Sequence, residues 1–435
     1  MLYGLTRPLA RVTLAVFYQK IYFSNADRIP ENQPVLLAAN HPTAFLEPCL
    51  LACWLPRPIH FMVRGSVFKN PFFAKVLRSL HLIPIYRMKD GGYEKVRKNF
   101  STLQEAEQVL LNREPLLILA EGRTAHEKRL RPLQKGTARL AFSTLAHDLE
   151  QEVYIVPVGV NYTYAELFRS EVMIDFGEPI RTSDFWSAYQ EHPSKGIRQL
   201  TQRVRQGLEE RVVIIEEPAD EELVEFLLQI YRNTIEQSVF PVLESSDHRL
   251  FAEQQMASTI QGMALAEKGD LQCIVNEYRA ALASARINDL GVGQSPYVSV
   301  WNLLFVLLGA VPGLIGGLIA YPPAGIATFL VDRKIKRLEY RASVLAALGM
   351  VLYPIYFLSF FVLFAGLFGL PYLGWALLVP VLCYWSLAVR EAAYRVGSVI
   401  RFWLLPAHKR QVLKNLRTKV YREGKLVPQG VDLNL

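Results

Sequence analysis

The stretch VLLAANHPTAFLEPCLL, Val35 to Leu51, sets a histidine directly behind an apolar run and a glutamate six residues beyond it. A short apolar run that ends in Asn-His-Pro reads as a buried strand leaving its sheet through a turn. The pattern repeats downstream. Apolar runs at Ile59–Arg64, Leu82–Arg87, Leu116–Gly122, Val153–Val160 and Glu171–Gly177 have strand length and composition. Between them, Asn70–Leu80, Tyr93–Asn112 and Gly136–Leu149 have the length and period of helices. This alternation predicts an α/β fold, a largely parallel sheet flanked by helices.

On that scheme Asn40 and His41 follow the first strand, Arg87 follows Leu82–Tyr86, and Glu121, Gly122 and Arg123 follow Leu116–Ala120. Open α/β sheets bind ligands beyond the carboxyl ends of their strands, so these groups are expected to converge. Neutral imidazole at His41 can take a proton from an alcohol as it attacks a carbonyl, and Glu47 is the carboxylate near enough in sequence to fix its tautomer. Alone, a histidine at a strand end is more often structural, and Arg87 and Arg123 alone read as surface ion pairs. Together at parallel strand ends they suit an anionic substrate, since guanidinium binds phosphate in two parallel hydrogen bonds. A glycine such as Gly122 lets backbone amides approach the anion. Glu121 is expected to hold an arginine or a substrate hydroxyl.

Composition narrows the setting. The chain has 435 residues, 51% of them hydrophobic, and a formal charge of +8. So much apolar sequence favours a lipid environment over nucleic acid, for which no recognisable module is present. The cysteines Cys49, Cys53, Cys273 and Cys383 follow no metal-ligand or disulfide spacing and read as reduced core residues. No Gly-x-Ser-x-Gly elbow, P-loop or metal-ligand cluster appears, so neither metal nor cofactor is expected.

Four blocks, NHPTAFLEP, RGSVFKNPFFAKVLRSLHLIPIYR, LAEGRTAHEKRLRPLQKGTARLAF and VPVGV, resemble in order and spacing those of the glycerolipid acyltransferase family, over roughly Pro34 to Ile180. The resemblance implies that His41 is the general base. The family's first block is His-x4-Asp; here Leu46 stands at that position and the acid is Glu47, one residue later and one methylene longer. It further implies substrate-binding roles for Arg87, for the Glu121, Gly122, Arg123 and Thr124 turn, for Lys135 and for Pro157. The implied reaction is direct transfer of a fatty acyl group from acyl-CoA or an acyl-carrier protein to a hydroxyl of glycerol-3-phosphate, with no protein nucleophile. Lysophosphatidate (1-acylglycerol-3-phosphate) is the alternative acceptor, and a catalytically inactive lipid-binding membrane protein is the alternative of another class.

The remaining chain divides by pattern. Residues 1–30 read as an amphipathic interfacial helix, or equally as a helix packed on its own domain, 31–215 as the acyltransferase domain, 216–297 as a helical region, 298–390 as membrane hairpins and 391–435 as a basic cytoplasmic tail. Leu303–Ala320 is uncharged but carries Pro312 and several glycines, and Tyr-Pro-Pro at 321–323 ends it. The apolar Ala324–Val331 that follows would rise only about 12 Å against a hydrocarbon core of about 30 Å, so the two together predict a re-entrant hairpin. Ala342–Leu370 and Tyr372–Val389 are each long enough to cross. The basic segment Asp332–Arg341 and the basic tail from Arg390 place the acyltransferase domain on the cytoplasmic face. The competing topology, a single crossing by Leu303–Val331, would strand positive residues outside.

Overall fold

Val35–Ala39 is buried at every residue because a neighbouring strand lies on each side of it and both sheet faces are covered. The computed structural model describes residues 2–86, 99–235, 239–293, 296–370 and 373–425. Among them the sheet has nine strands. They are β1 (Lys20–Ser24), β2 (Val35–Ala39), β3 (His60–Arg64), β4 (Leu82–Ile85), β5 (Leu116–Leu119), β6 (Tyr154–Tyr162), β7 (Glu171–Phe176), β8 (Ile180–Arg181) and β9 (Leu243–Glu244).

The order is β4-β3-β5-β2-β6-β7-β1-β9, with β8 also on β6. All pairings are parallel except those of β6 with β7 and β8. The antiparallel pair follows from the short link between β6 and β7, which has no room for a crossover helix. The carboxyl ends of β2, β4 and β5 therefore share one edge.

Helices α1 (Leu2–Phe17), α2 (Leu46–Trp54), α3 (Pro71–Ser79), α4 (Asn99–Leu111), α5 (Gly136–His147) and α6 (Pro193–Glu209) accompany the sheet. Sequence alone explains some of their ends. The Asn70 side chain accepts from the backbone N–H groups of Phe72 and Phe73, with Pro71 at the first helical position. Helix α6 buries Leu200, Val204 and Leu208 at helical spacing on one face.

Three expectations change. The segment read as one amphipathic helix through residue 30 is α-helical only to Phe17; Lys20–Ser24 is a strand, because its backbone completes the parallel ladder with β7, and a single 3-10 turn follows at Ala26–Arg28. The exposed Leu5, Leu9 and Val12 of α1 keep the apolar outer stripe, while Leu14 and Phe17 turn into the core. Cys273 is exposed, unlike the other three cysteines.

The third change concerns the apolar C-terminal part. Pro296–Lys334 is one continuous helix with Pro312, Pro322 and Pro323 inside it, not a hairpin broken at Tyr-Pro-Pro. Its glycines serve packing rather than breakage: a Cβ on Gly316 would lie 1.9 Å from the carbonyl oxygen of Leu382 on the Leu378–Trp403 helix. Val300–Lys334, Leu338–Phe368 and Gly374–Trp403 are each long and apolar enough to cross a membrane. The last runs on through Arg390, where the sequence suggests the tail begins.

The chain forms two compact units, one of residues 1–213, 241–250 and 331–350, the other of 214–240, 251–330 and 351–435. The first contains the sheet, and its apolar core includes Ala342 and Ala346 from the first turns of the Leu338–Phe368 helix. In the second, helices pack around buried charge. Arg232 makes two parallel hydrogen bonds to Glu253, at 2.8 and 2.7 Å, and Arg417 bonds Asp289, which also accepts from Tyr278.

Candidate active site

The site begins where β2 stops. Asn40 continues the β2–β6 ladder through its side chain, which donates to the carbonyl of Val160 at 2.9 Å and accepts from its N–H at 2.7 Å. This fixes the next residue, His41, just beyond the sheet edge. The turn Pro42–Phe45 then leads into α2, whose first turn carries Glu47.

Glu47 is completely buried. Its Oε1 accepts the Thr43 backbone N–H at 2.6 Å, and its Oε2 stands 3.6 Å from His41 Nδ1, within ion-pair reach and just beyond a hydrogen bond. The shifted acid thus reaches the imidazole from a helical position one residue past the one the family pattern implies. On the other side of the ring, the Thr124 hydroxyl lies 2.9 Å from Nε2. A carboxylate beside Nδ1 favours the proton there, which leaves Nε2 to accept from a hydroxyl.

Two loops clamp this arrangement. The His41 N–H donates to Glu121 Oε1 at 2.9 Å, and the His41 carbonyl accepts from Ala125 N–H at 3.2 Å. The Arg131 N–H lies 3.4 Å from the other Glu121 oxygen. Burial raises the Glu121 carboxyl above the ordinary carboxylate range, and those two backbone donors oppose the shift. Glu121 therefore ties the β2 and β5 loops together, where a contact with an arginine side chain or substrate hydroxyl was expected; its oxygens are occupied by backbone.

Gly122 has φ of +69°, and a Cβ there would sit 2.7 Å from Gln134 Cγ, so the turn that delivers Thr124 requires glycine. Arg123 and Lys135 are exposed. Arg87 lies outside the described residues. Pro157 lies inside the sheet: it pairs with Ala38, its carbonyl accepts from Gly177 N–H at 2.8 Å, and its ring fills the space left by Gly207 of α6. Of the residues named from sequence, the structure brings together His41, Glu47, Glu121 and Thr124.

Residues that sequence reasoning passed over stand directly behind them. Thr43 anchors Glu47, and the buried Tyr18 and Tyr162 stack on each other at 6.0 Å in the core that Leu46 of α2 also enters. Thr43 was within reach of a sequence reading, since it falls inside the His-to-Glu interval. The tyrosines carry no such signal.

Chemically, the arrangement is a base flanked by a carboxylate on one nitrogen and a hydroxyl on the other, at the carboxyl edge of a parallel sheet. That is the constellation of base-assisted group transfer. Residues 20–161 match the acyltransferase family model. Among curated proteins, glycerol-3-phosphate O-acyltransferase 2 of Saccharomyces cerevisiae is 26% identical over 117 residues, 27% of this chain and 16% of that protein. Glycerol-3-phosphate O-acyltransferase 1 of the same yeast is 22% identical over 237 residues, 52% of this chain and 30% of that protein. The chain thus spans less than a third of the length of these two relatives. Among solved structures, the 1-acyl-sn-glycerophosphate acyltransferase PlsC of Thermotoga maritima aligns with 18% identity and a TM-score of 0.36, covering 48% of this chain and 78% of that one.

Proposed function

We propose that this chain transfers a fatty acyl group from a thioester donor, acyl-CoA or acyl-carrier protein, to a hydroxyl of glycerol-3-phosphate at the cytoplasmic face of a membrane. The observation that carries the reading is the hydroxyl 2.9 Å from His41 Nε2 with the Glu47 carboxylate behind the same ring. The acceptor hydroxyl takes the position that the Thr124 hydroxyl marks. Its proton passes to Nε2 as its oxygen attacks the thioester carbonyl. The C–S bond then breaks, and the departing sulfur recovers that proton from the imidazolium. Glu47 stabilises the imidazolium between the two transfers. Arg87 and Arg123 pair with the acceptor phosphate, with Lys135 as a further cation near the same loop.

Glycerol-3-phosphate is favoured over lysophosphatidate because the two yeast relatives are named for that acceptor. With the hairpin gone, the cytoplasmic placement rests on the basic segment Asp332–Arg341 alone, which belongs to the same compact unit as the site and whose Glu339 carbonyl accepts from the Ala44 N–H. The deciding assay is radiolabelled acyl transfer by the full chain in detergent or vesicles, with glycerol-3-phosphate and lysophosphatidate offered separately. Labelled product from glycerol-3-phosphate is expected. Product from lysophosphatidate alone moves the acceptor, and no product from either defeats the enzymatic reading.

A further inference from the structure

Crossover helices of a parallel sheet ordinarily bury one face on it, and α2, α5 and α6 each do so through several residues. Helix α3, in the crossover from β3 to β4, has no buried residue. Val76 and Leu77 are half-buried, while Phe72 and Phe73 leave 70% and 57% of their surface open, and Val67 in the turn before the helix leaves 50%. The two phenyl rings meet edge to face with 5.8 Å between centroids, so they form one apolar knob.

The knob has a fixed place. Strand β3 runs parallel to β4 and β5 and ends at Arg64, so the turn Gly65–Phe68 and the first turn of α3 lie at the carboxyl edge of the sheet, the edge that carries His41. A Cβ on Gly65 would come within 2.3 Å of the Tyr86 ring just past β4, which shows how closely this turn is pressed on the sheet. Helix α1, with Leu5 and Val12 exposed, packs against α3.

Charge identifies what covers it. Between Glu47 and Asp90 the chain has seven Lys and Arg and no acidic residue, and none stands before Asp27. Lys69 and Lys75, which flank the phenyl rings in sequence, are both exposed. Arg78, further along the helix, is instead paired with Glu105 of α4 at 2.7 Å. At the opposite edge, after α5, the exposed Leu149 sits among Asp148, Glu150 and Glu152. An aromatic knob between lysines, with carboxylates kept away, complements an anionic lipid surface: the rings enter the interface and the ammonium groups stay at the phosphates. The same unit holds the first turns of Leu338–Phe368, a helix long and apolar enough to cross a membrane, which brings a bilayer within its reach.

We propose that residues 67–75 are a membrane-docking element: Val67, Phe72 and Phe73 insert among the lipids while Lys69 and Lys75 bind anionic headgroups, holding the carboxyl edge of the sheet against the bilayer on the β3 side. The test reads depth and needs no turnover, so it stands apart from the assay of function. The full chain carrying Cys273→Ser is reconstituted in phosphatidylcholine vesicles containing phosphatidylglycerol, and Phe72→Cys in that background is labelled with an environment-sensitive fluorophore. Burial pushes the Cys49 and Cys53 thiols up to about 12 and about 11, which keeps them unreactive at neutral pH, and Cys383 is buried.

The label should be quenched by lipid-borne bromine, at about 5–10 Å into the interface, and shielded from iodide in the water. Leu149→Cys, labelled in the same way, should show the reverse. Lys69→Glu and Lys75→Glu should each shift the inserted-to-lifted ratio by about fivefold or more, and vesicles of phosphatidylcholine alone should weaken insertion in the same direction. A label at Phe72→Cys as open to iodide as that at Leu149→Cys overturns the proposal. Shielding from both quenchers overturns it as well, because protein then covers the knob, as a second copy of the chain would. Insertion that ignores both the lysine substitutions and the lipid charge overturns the headgroup binding. Should Phe72→Cys fail to fold, Phe73→Cys or Val67→Cys carries the same test.

Discussion

The sheet places histidines at both of its ends, and the two ends use them differently. At the carboxyl edge His41 has a carboxylate at one nitrogen and a hydroxyl at the other. At the amino edge His60 opens β3 and His81 precedes β4; their rings stack at 4.5 Å and 10°, and Tyr3 of α1 stacks on His81 at 4.7 Å and 11°. Burial pushes both of these imidazoles below their ordinary value; the neighbouring His81 pushes His60 down further, and Glu114 only partly offsets it. Stacked face to face, these rings serve as flat packing surfaces. His60 Nδ1 also has a carboxylate beside it, Glu114 Oε2 at 3.5 Å, so what marks His41 as a candidate base is the full burial of its carboxylate and the hydroxyl 2.9 Å from Nε2.

Removing His41 should break the contrast most severely. His41→Ala is expected to lose about 10² to 10⁴ in kcat, the usual contribution of a general base, with folding and membrane association retained. Near-normal turnover in a folded variant would falsify the mechanism. Next comes Glu47→Gln, which keeps shape and removes charge. A fall of roughly 10- to 100-fold in kcat is expected, as suits the loss of a buried charge within ion-pair reach of the base. If the variant is as active as the parent, another carboxylate orients the ring.

Arg123→Ala should act more gently because the side chain is exposed. The acceptor KM is expected to rise up to about fivefold while the donor KM stays put, as suits an exposed ion pair. A rise in the donor KM instead assigns this arginine to the carrier's phosphates.

The smallest effect on turnover should come from the amino-edge pair. Because the folded imidazoles are held below the unfolded value of about 6.5, the unfolded chain binds more protons in this window. The stack's contribution to stability is whole above that value and is lost as pH falls toward the folded one. His60→Phe keeps a stacking ring without a proton site, so thermal melting should become less steeply dependent on pH below about 6.5 while turnover at neutral pH is unchanged. An unaltered pH dependence would show that the stack does not titrate with unfolding.

Much of this was legible in sequence because periodicity reports burial. The apolar runs marked β2 through β7, strand-end logic gathered His41 and Glu121 from positions about eighty residues apart, and the family resemblance added Thr124. Helix α2 was not legible, since Leu46–Trp54 is apolar on all sides and has no periodic stripe. Strand β1 was hidden because Ile21 and Tyr22 also continue the helical spacing of α1. The roles of Glu121 and Pro157 depend on which backbone groups face them across the sheet. Local pattern does not encode that, and for the same reason the Tyr18–Tyr162 pair has no signature of its own.

One backbone bond joins the early and late parts of the first unit. The Ala44 N–H donates at 3.1 Å to the carbonyl of Glu339, and Ala342 and Ala346, one and two turns further along the same helix, enter the core shared with β2 and α2. The turn that carries the base is thus completed by residues made about 300 positions later, after the first long apolar helix, a closure of high contact order. Until that segment emerges from the ribosome the nascent domain lacks a piece of its own interior. A polypeptide stopped at Val213 has every residue of the proposed chemistry and an unfinished wall, so the interior around this site is completed only late in synthesis.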